Sequence, residues 1–298
     1  LRWRLFVIMA NAEGNVGWAD GLTLLCPMCQ NPLVEWSCPN SDKTLPPCPT
    51  CHGKVSVLHG IPVLRKVDEE IIDLLDTPDG LAVYDSSNLS IPFIQEALVS
   101  EELVLELGAG ADICDKPNLI KTDSYLYSTS LDFIADAHAL PFGDDTFGYV
   151  FSLAVFEHLH SPWIAADEIF RVLKPGGKVF VLTAFMQHLH GYPSHFFNMT
   201  LPGLRRLFER FDIVDAAPSS WTSFDQLSYL LLDFLTHAKE SCQSQESISS
   251  KEKLERAVRD FCECIPLLDH ELLRGDASES GAWAKIAPTI ELEACKHM

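Results

Sequence analysis

The feature that most constrains this chain is a short apolar run, LVLEL at 103–107, that ends in a glycine-rich turn. A run with no polar face fits a strand covered on both sides, which is the situation in parallel sheets flanked by helices. The pattern after it repeats the theme. NLIKTD (118–123), LDFIADA (131–137), YVFSLAVF (149–156) and KVFVLTAF (178–185) read as further strands. A helix is predicted over 161–173, with Ser161 as N-cap, Pro162 at the first position and Gly176–Gly177 beyond its end. TLPGLRRLFERF (200–211) reads as a helix opened by Thr200, followed by the strand DIVDAA. Strands alternating with helices predict a doubly wound α/β sheet with helices on both faces.

Outside that region the signals are weaker. DEEIIDLLD and IPFIQEALVS give a helical connector across 67–100. Trp221 to Glu271 reads as mostly helical, apart from a polar loop at 241–250. AWAKIAPTIELEAC is strand-like and is expected to return to the sheet edge, with Pro288 interrupting it.

Composition narrows the function. Hydrophobic residues make up 47% and charged residues 21%, a balance with ample core material. No stretch has the 18 apolar residues of a membrane helix. Arg2 and Arg4 precede LFVIMA, an apolar run too short for a signal peptide, so a cytoplasmic protein without membrane association is expected. The net charge is −20, and nearly all of it falls after residue 70. Such a surface repels phosphate backbones and argues against a nucleic-acid partner.

Five of the ten cysteines lie between Cys26 and Cys51, and the others are scattered as free thiols. Cys26-Pro-Met-Cys29 and Cys48-Pro-Thr-Cys51 form two C-x2-C knuckles separated by 18 residues, the spacing of a zinc ribbon. A segment as small as 21–66 cannot bury enough core to fold unaided, so a metal has a physical reason to be there. Four thiolates leave no open position for water, which makes the expected zinc structural. Cys38 and His52 could substitute as ligands but break the paired geometry.

The chemistry-bearing motifs come in a fixed order. Glu106-Leu-Gly108-Ala-Gly110 follows the first strand of the sheet, where glycines allow close approach of a ligand and positive φ. By itself such a pair is equally a strand-ending turn. Asp123 ends the next strand. Asp136-Ala137 opens DAHALPFGDDTFGYV, Phe156-Glu-His-Leu159 follows the fourth strand, and Arg171-Val-Leu-Lys-Pro-Gly-Gly177 precedes the fifth. Across residues 88–215 this order resembles class I S-adenosylmethionine-dependent methyltransferases of the branch acting mostly on small molecules. The resemblance implies a mostly parallel, seven-stranded, Rossmann-like sheet in a domain spanning 101–298. It also implies roles. Glu106, Gly108 and Gly110 would meet the methionine part of the cofactor, Asp123 the ribose, and Asp136 and Ala137 the adenine. Ser152 and Leu153 would lie beneath the sulfonium. Two departures stand out: Asp112 occupies the place of the usual third glycine, and the interval from Gly110 to Asp123 leaves little room for a helix. HGIPVLRK, after the cysteines, resembles the end of Trm112-like zinc modules, which implies a role in partner or substrate recognition.

The acceptor end is expected in the segment from Phe185 to Asn198, where His188, His190, Tyr192 and His195 stand among aromatics. It resembles an H-G-Y-P-x-D-Y-F-R-like stretch of bacterial relatives, with His195 in place of the acid and Asn198 in place of the arginine. A histidine near neutral pKa is the natural general base, His190 first and His195 second. The alternative is that these histidines order the loop. A metal site from His188, His190 and His195 lacks a carboxylate in that segment. The sequence therefore predicts a methyltransferase for a small-molecule acceptor, carrying structural zinc and open to a protein partner through the zinc module. An rRNA or tRNA base methyltransferase and a non-catalytic scaffold remain as alternatives.

Overall fold

The structure is a computed structural model and describes residues 22–33, 47–66, 75, 84–187, 189–190, 194–219, 256 and 289–297. The main sheet has seven strands: β3 (Val104–Leu107), β4 (Leu119–Asp123), β5 (Phe133–Ile134), β6 (Phe147–Leu153), β7 (Leu173–Ala184), β8 (Asp212–Pro218) and β9 (Thr289–Cys295). Their order is β5-β4-β3-β6-β7-β9-β8. The first five run parallel, and β9 is antiparallel to both its neighbours. This is the doubly wound, mostly parallel, seven-stranded sheet that the sequence predicts. β3 pairs with β4 on one side and β6 on the other, so the strand order reverses there. A crevice at the carboxyl ends of β3 and β6 follows from that reversal, and it is where ligands of such sheets bind.

Helices cover both faces. The α1 helix (Pro92–Val99) buries Phe93, Ile94, Ala97 and Leu98 against Val104, Phe151 and Phe180. On the other face α2 (Pro162–Val172) and α3 (Leu201–Leu207) bury Ala165, Ile169 and Leu204 over Val150 and Val181. Phe133, Phe142 and Phe147 are fully buried in that layer, each worth roughly 2–3 kcal/mol of transfer free energy. Thr200 caps α3 as expected, accepting from the Gly203 N–H at 3.2 Å. Ser161 stands at the N-cap position of α2 without capping it; its hydroxyl meets His160 Nδ1 at 2.9 Å instead.

No helix separates β3 from β4. The loop is held by Asp112, whose carboxylate accepts from the N–H groups of Ser86 at 3.0 Å and Cys114 at 2.9 Å. The buried Lys121 donates to the Asp112 carbonyl at 2.7 Å. The residue that replaces a glycine thus organises the shortened crossover.

The C-terminal strand corrects an expectation. It does not lie at the sheet edge but between β7 and β8, bonded along its length to both. Ile290, Leu292 and Ala294 are buried while Glu291 and Glu293 are partly exposed, an alternation that identifies a strand but not its slot. Pro288 and the segment predicted helical at 221–271 lie outside the described residues, except for Arg256, which is helical.

The cysteine segment adds a two-stranded hairpin, β1 (Val57–Leu58) and β2 (Ile61–Pro62), and packs on the β5 edge. Leu25 N–H donates to the Pro141 carbonyl at 2.9 Å, and Leu64 N–H to that of Ile134 at 2.7 Å. Leu24, Cys26, Leu33, Cys48 and Val55 belong to the same apolar cluster as Phe133 and Phe142. Among the described residues no helix is long and apolar enough to cross a membrane.

Candidate active site and cysteine cluster

The two glycines of the first loop are needed for different reasons. Gly108 has φ +73°, and a Cβ there would lie 2.2 Å from Val155 Cγ2. Its lack of a side chain lets the turn after β6 pack against the turn after β3. Gly110 has φ +52°, and a Cβ there would meet nothing within 4 Å. Positive φ beside open space is a cradle for a ligand approaching the backbone. The Gly110 N–H donates to Asp123 Oδ2 at 3.0 Å, and Tyr125 N–H to Oδ1 at 3.1 Å. Asp123, at the end of β4, therefore stands against the loop despite the short crossover. Burial pushes its carboxyl up to about 6, above the ordinary carboxylate range, against the pull of these hydrogen bonds.

Glu106 is buried at the end of β3 and accepts from the Tyr84 hydroxyl at 2.6 Å. Burial first, then the neighbouring Asp112 charge, hold its carboxyl well above its ordinary value. Ser152 is buried opposite Leu107, and its hydroxyl has no hydrogen-bond partner. Leu153 packs toward the α1 side of the sheet. Asp136 is already engaged: His138 donates to its Oδ1 through the backbone N–H at 2.9 Å and ring Nδ1 at 2.7 Å. Burial works to raise the Asp136 carboxyl, yet the His138 hydrogen bonds prevail and hold it below its ordinary value. The His138 Nε2 accepts from Ser161 N–H at 3.3 Å, and the ring stacks on His160 at 4.1 Å. Ala137 is buried beside it.

Past the carboxyl ends of β6 and β7 lies a histidine cluster. Glu157 and His158 stand in the 3-10 turn Phe156–His158 after β6, just beyond the Val155 that packs on Gly108. The ring centroids of His158 and His190 are 5.2 Å apart, and those of His190 and His195 are 4.4 Å apart. The fully buried Glu157 accepts from the Thr183 hydroxyl at 2.8 Å, and its other oxygen lies 4.0 Å from His190 Nε2. His190 and His195 are thus brought together beside the glycine loop. His188 and Tyr192 lie outside the described residues. Sequence reasoning missed Tyr84, Val155 and the position of Glu157. Glu157 was legible as part of an E-H motif, while the other two act on residues tens of positions away in sequence.

The four cysteines form two knuckles that share one backbone turn. In each, the first cysteine's carbonyl accepts from the residue after the second cysteine, Gln30 at 2.8 Å and His52 at 2.9 Å. Those two residues share a φ of +58°. Met28 N–H points at Cys26 Sγ and Gly53 N–H at Cys51 Sγ, both at 3.4 Å. His52 enters through its backbone, and Cys38 lies outside the described residues. Across the knuckles, Cys26 Sγ is 3.7 Å from Cys51 Sγ and Cys29 Sγ is 3.8 Å from Cys48 Sγ. A disulfide needs about 2 Å. A tetrahedron with metal–sulfur bonds of about 2.3 Å has edges of about 3.8 Å, which these separations match. Burial pushes the Cys26 thiol up to about 12, while hydrogen bonding from Asn31 holds Cys29 down at about 6.

With this geometry in place, comparison with known proteins is decisive on one point. Residues 109–181 match the family model described as a methyltransferase domain. Those residues, from the glycine loop into β7, are a methyltransferase domain. The methyltransferase domain is similar in sequence to the mitochondrial 2-methoxy-6-polyprenyl-1,4-benzoquinol methylase of Xenopus laevis, 37% identical over 103 residues. That match covers 32% of this chain and 33% of the relative, so the chain spans about a third of the length of that protein. Among solved structures, phosphoethanolamine N-methyltransferase 2 of Haemonchus contortus with S-adenosyl-L-methionine is 13% identical, with a TM-score of 0.39, covering 68% of this chain and 51% of that one. A complex containing the Trm112 methyltransferase activator of Haloferax volcanii is 14% identical, with a TM-score of 0.40, covering 69% and 89%.

Proposed function

We propose that this protein is an S-adenosylmethionine-dependent methyltransferase acting on a small-molecule acceptor, with a structural zinc ion in its N-terminal cysteine module. The observation that carries the reading is the open cradle at Gly110, with Asp123 beside it and the unpartnered Ser152 hydroxyl in the same crevice. When bound, the cofactor supplies an activated methyl group on a sulfonium. The chain's part is to hold, orient and manage protons. Asp123 would accept the ribose hydroxyls, and Asp136 the adenine amine beside Ala137. Glu106, Gly108 and Gly110 would face the methionine part, with Ser152 and Leu153 below the sulfonium. His190 and His195 would meet the acceptor and take its proton. Two features support a small acceptor: the net charge of −20 and the quinol in the relative's name.

The domain plan goes with this reading: a zinc-ribbon module at 21–66, a connector at 67–100 and the transferase from 101. Zinc at Cys26, Cys29, Cys48 and Cys51 is supported by the sulfur separations, and the outer face of that module is a candidate surface for a protein partner. Replacing His190 by Ala tests the acceptor end. Cofactor affinity should stay nearly unchanged while methyl transfer falls roughly a hundredfold or more. Equal loss of cofactor binding would move the histidines out of that role.

A further inference from the structure

The cysteines are not the chain's sole metal-like constellation. Glu157, His158 and His190 each offer one ligand atom, and these atoms all lie within 4.8 Å of one another. The orientation of the groups is set from outside the cluster. His158 Nδ1 donates to the Ser194 carbonyl at 2.9 Å, since a carbonyl can only accept, and this leaves Nε2 with its lone pair. Donation of the second ring N–H to a backbone carbonyl is the usual support of a metal-bound imidazole. Thr183 donates to Glu157 Oε2, so Oε1 is the oxygen left over, and it is buried with no hydrogen-bond partner among the described residues. A buried carboxylate oxygen without a donor is costly, and a bound cation is one way to satisfy it. The His190 Nε2 stands 4.0 Å from Oε1, too far for a hydrogen bond. Ligands of one ion with bonds of about 2.1 Å stand about 3.4 Å apart in a tetrahedron, so an ion would draw these two groups together by about half an ångström.

We infer that Glu157, His158 and His190 form a second metal site, for a first-row divalent cation of the zinc or iron type. One carboxylate and two imidazoles select such ions over calcium or magnesium, which prefer all-oxygen shells. Three protein ligands leave an open position, unlike the closed four-thiolate site. The inference rests on the methyltransferase reading for its meaning: the open position would take a lone pair of the acceptor. As a metal ligand His190 could not also take the acceptor's proton, so on this inference His195 alone is the base. Its Nε2 donates to the Phe197 carbonyl at 3.1 Å, and its Nδ1 is buried without a partner. The segment from 185 to 198 supplied too few ligand types for a metal by itself; the carboxylate comes from the preceding crossover, 33 positions before His190.

Cobalt(II) distinguishes the two sites. Metal-stripped full-length protein titrated with cobalt should show one class of ions with thiolate charge-transfer bands and a second class with weaker d–d bands alone. Glu157→Gln, which keeps the side-chain volume and the Thr183 bond, should abolish the second class and retain the first. His190→Ala should do the same. A parent protein that takes up only thiolate-bound cobalt would overturn the proposal, as would undiminished second-class binding in both folded variants. Calorimetry with S-adenosylmethionine on the same samples separates the two readings. Loss of cofactor binding with the second cobalt class intact would sink the transferase, not the metal site.

Discussion

At the residue scale, the two loop glycines separate structure from binding. Gly108→Ala should fail as a folded protein or lose much stability, because the new methyl would overlap Val155. Gly110→Ala should cost only about 1 kcal/mol of stability, the strain of a left-handed backbone, yet weaken S-adenosylmethionine binding sharply. Thermal melts and calorimetry on the pair measure both effects. Asp123 gives a pH dependence. Its folded-state value of about 6 lies above that of the unfolded chain. Its contribution to stability is therefore present at low pH and lost as pH rises through about 6. On the proposed reading, ligand binding would have the opposite sign, because an ionised carboxylate would accept the ribose hydroxyls better. Affinity should fall as pH drops through about 6, and Asp123→Asn should flatten that profile; calorimetry across the range checks it. Asp136→Ala should weaken binding by about 1.5–3 kcal/mol if its carboxylate takes a charge-assisted hydrogen bond from the ligand. Part of that loss will come through His138, which leans on the same oxygen.

At the element scale, what could be read from the sequence was what is local. The apolar run before Gly108, the Pro162 start of α2 and the Thr200 cap of α3 are decided within a few residues, and they stand where expected. The slot of β9 was not legible. Its alternation is the same whether one or two neighbours bond it, and its neighbours β7 and β8 are chosen by closure of the whole sheet. The same limit hid Tyr84 on Glu106 and Glu157 beneath His190: each pairing depends on which strands end side by side. The cysteine knuckles were legible because their spacing is local, but their packing was not. Cys26 and Cys48 are fully buried in the apolar cluster that underlies the sheet. Cys48→Ser should therefore release metal and also lower the melting temperature of the whole cooperative unit, not of a detached module. Metal analysis and calorimetric melting of the variant would reveal two independent transitions if the module were energetically separate.

For the whole molecule, the parts converge on one crevice. The strand reversal between β4, β3 and β6 opens it, and the glycine loop and Asp123 line one side. The turn after β6 brings Val155 to the loop and Glu157 to the histidines. The net charge of −20 disfavours polyanionic partners in general. Titration of the folded, metal-replete protein with S-adenosylmethionine tests the central claim most directly. One binding site in the micromolar range or tighter, lost in a Gly110→Val variant that still folds, is the predicted result. A folded parent protein that binds no S-adenosylmethionine would contradict it.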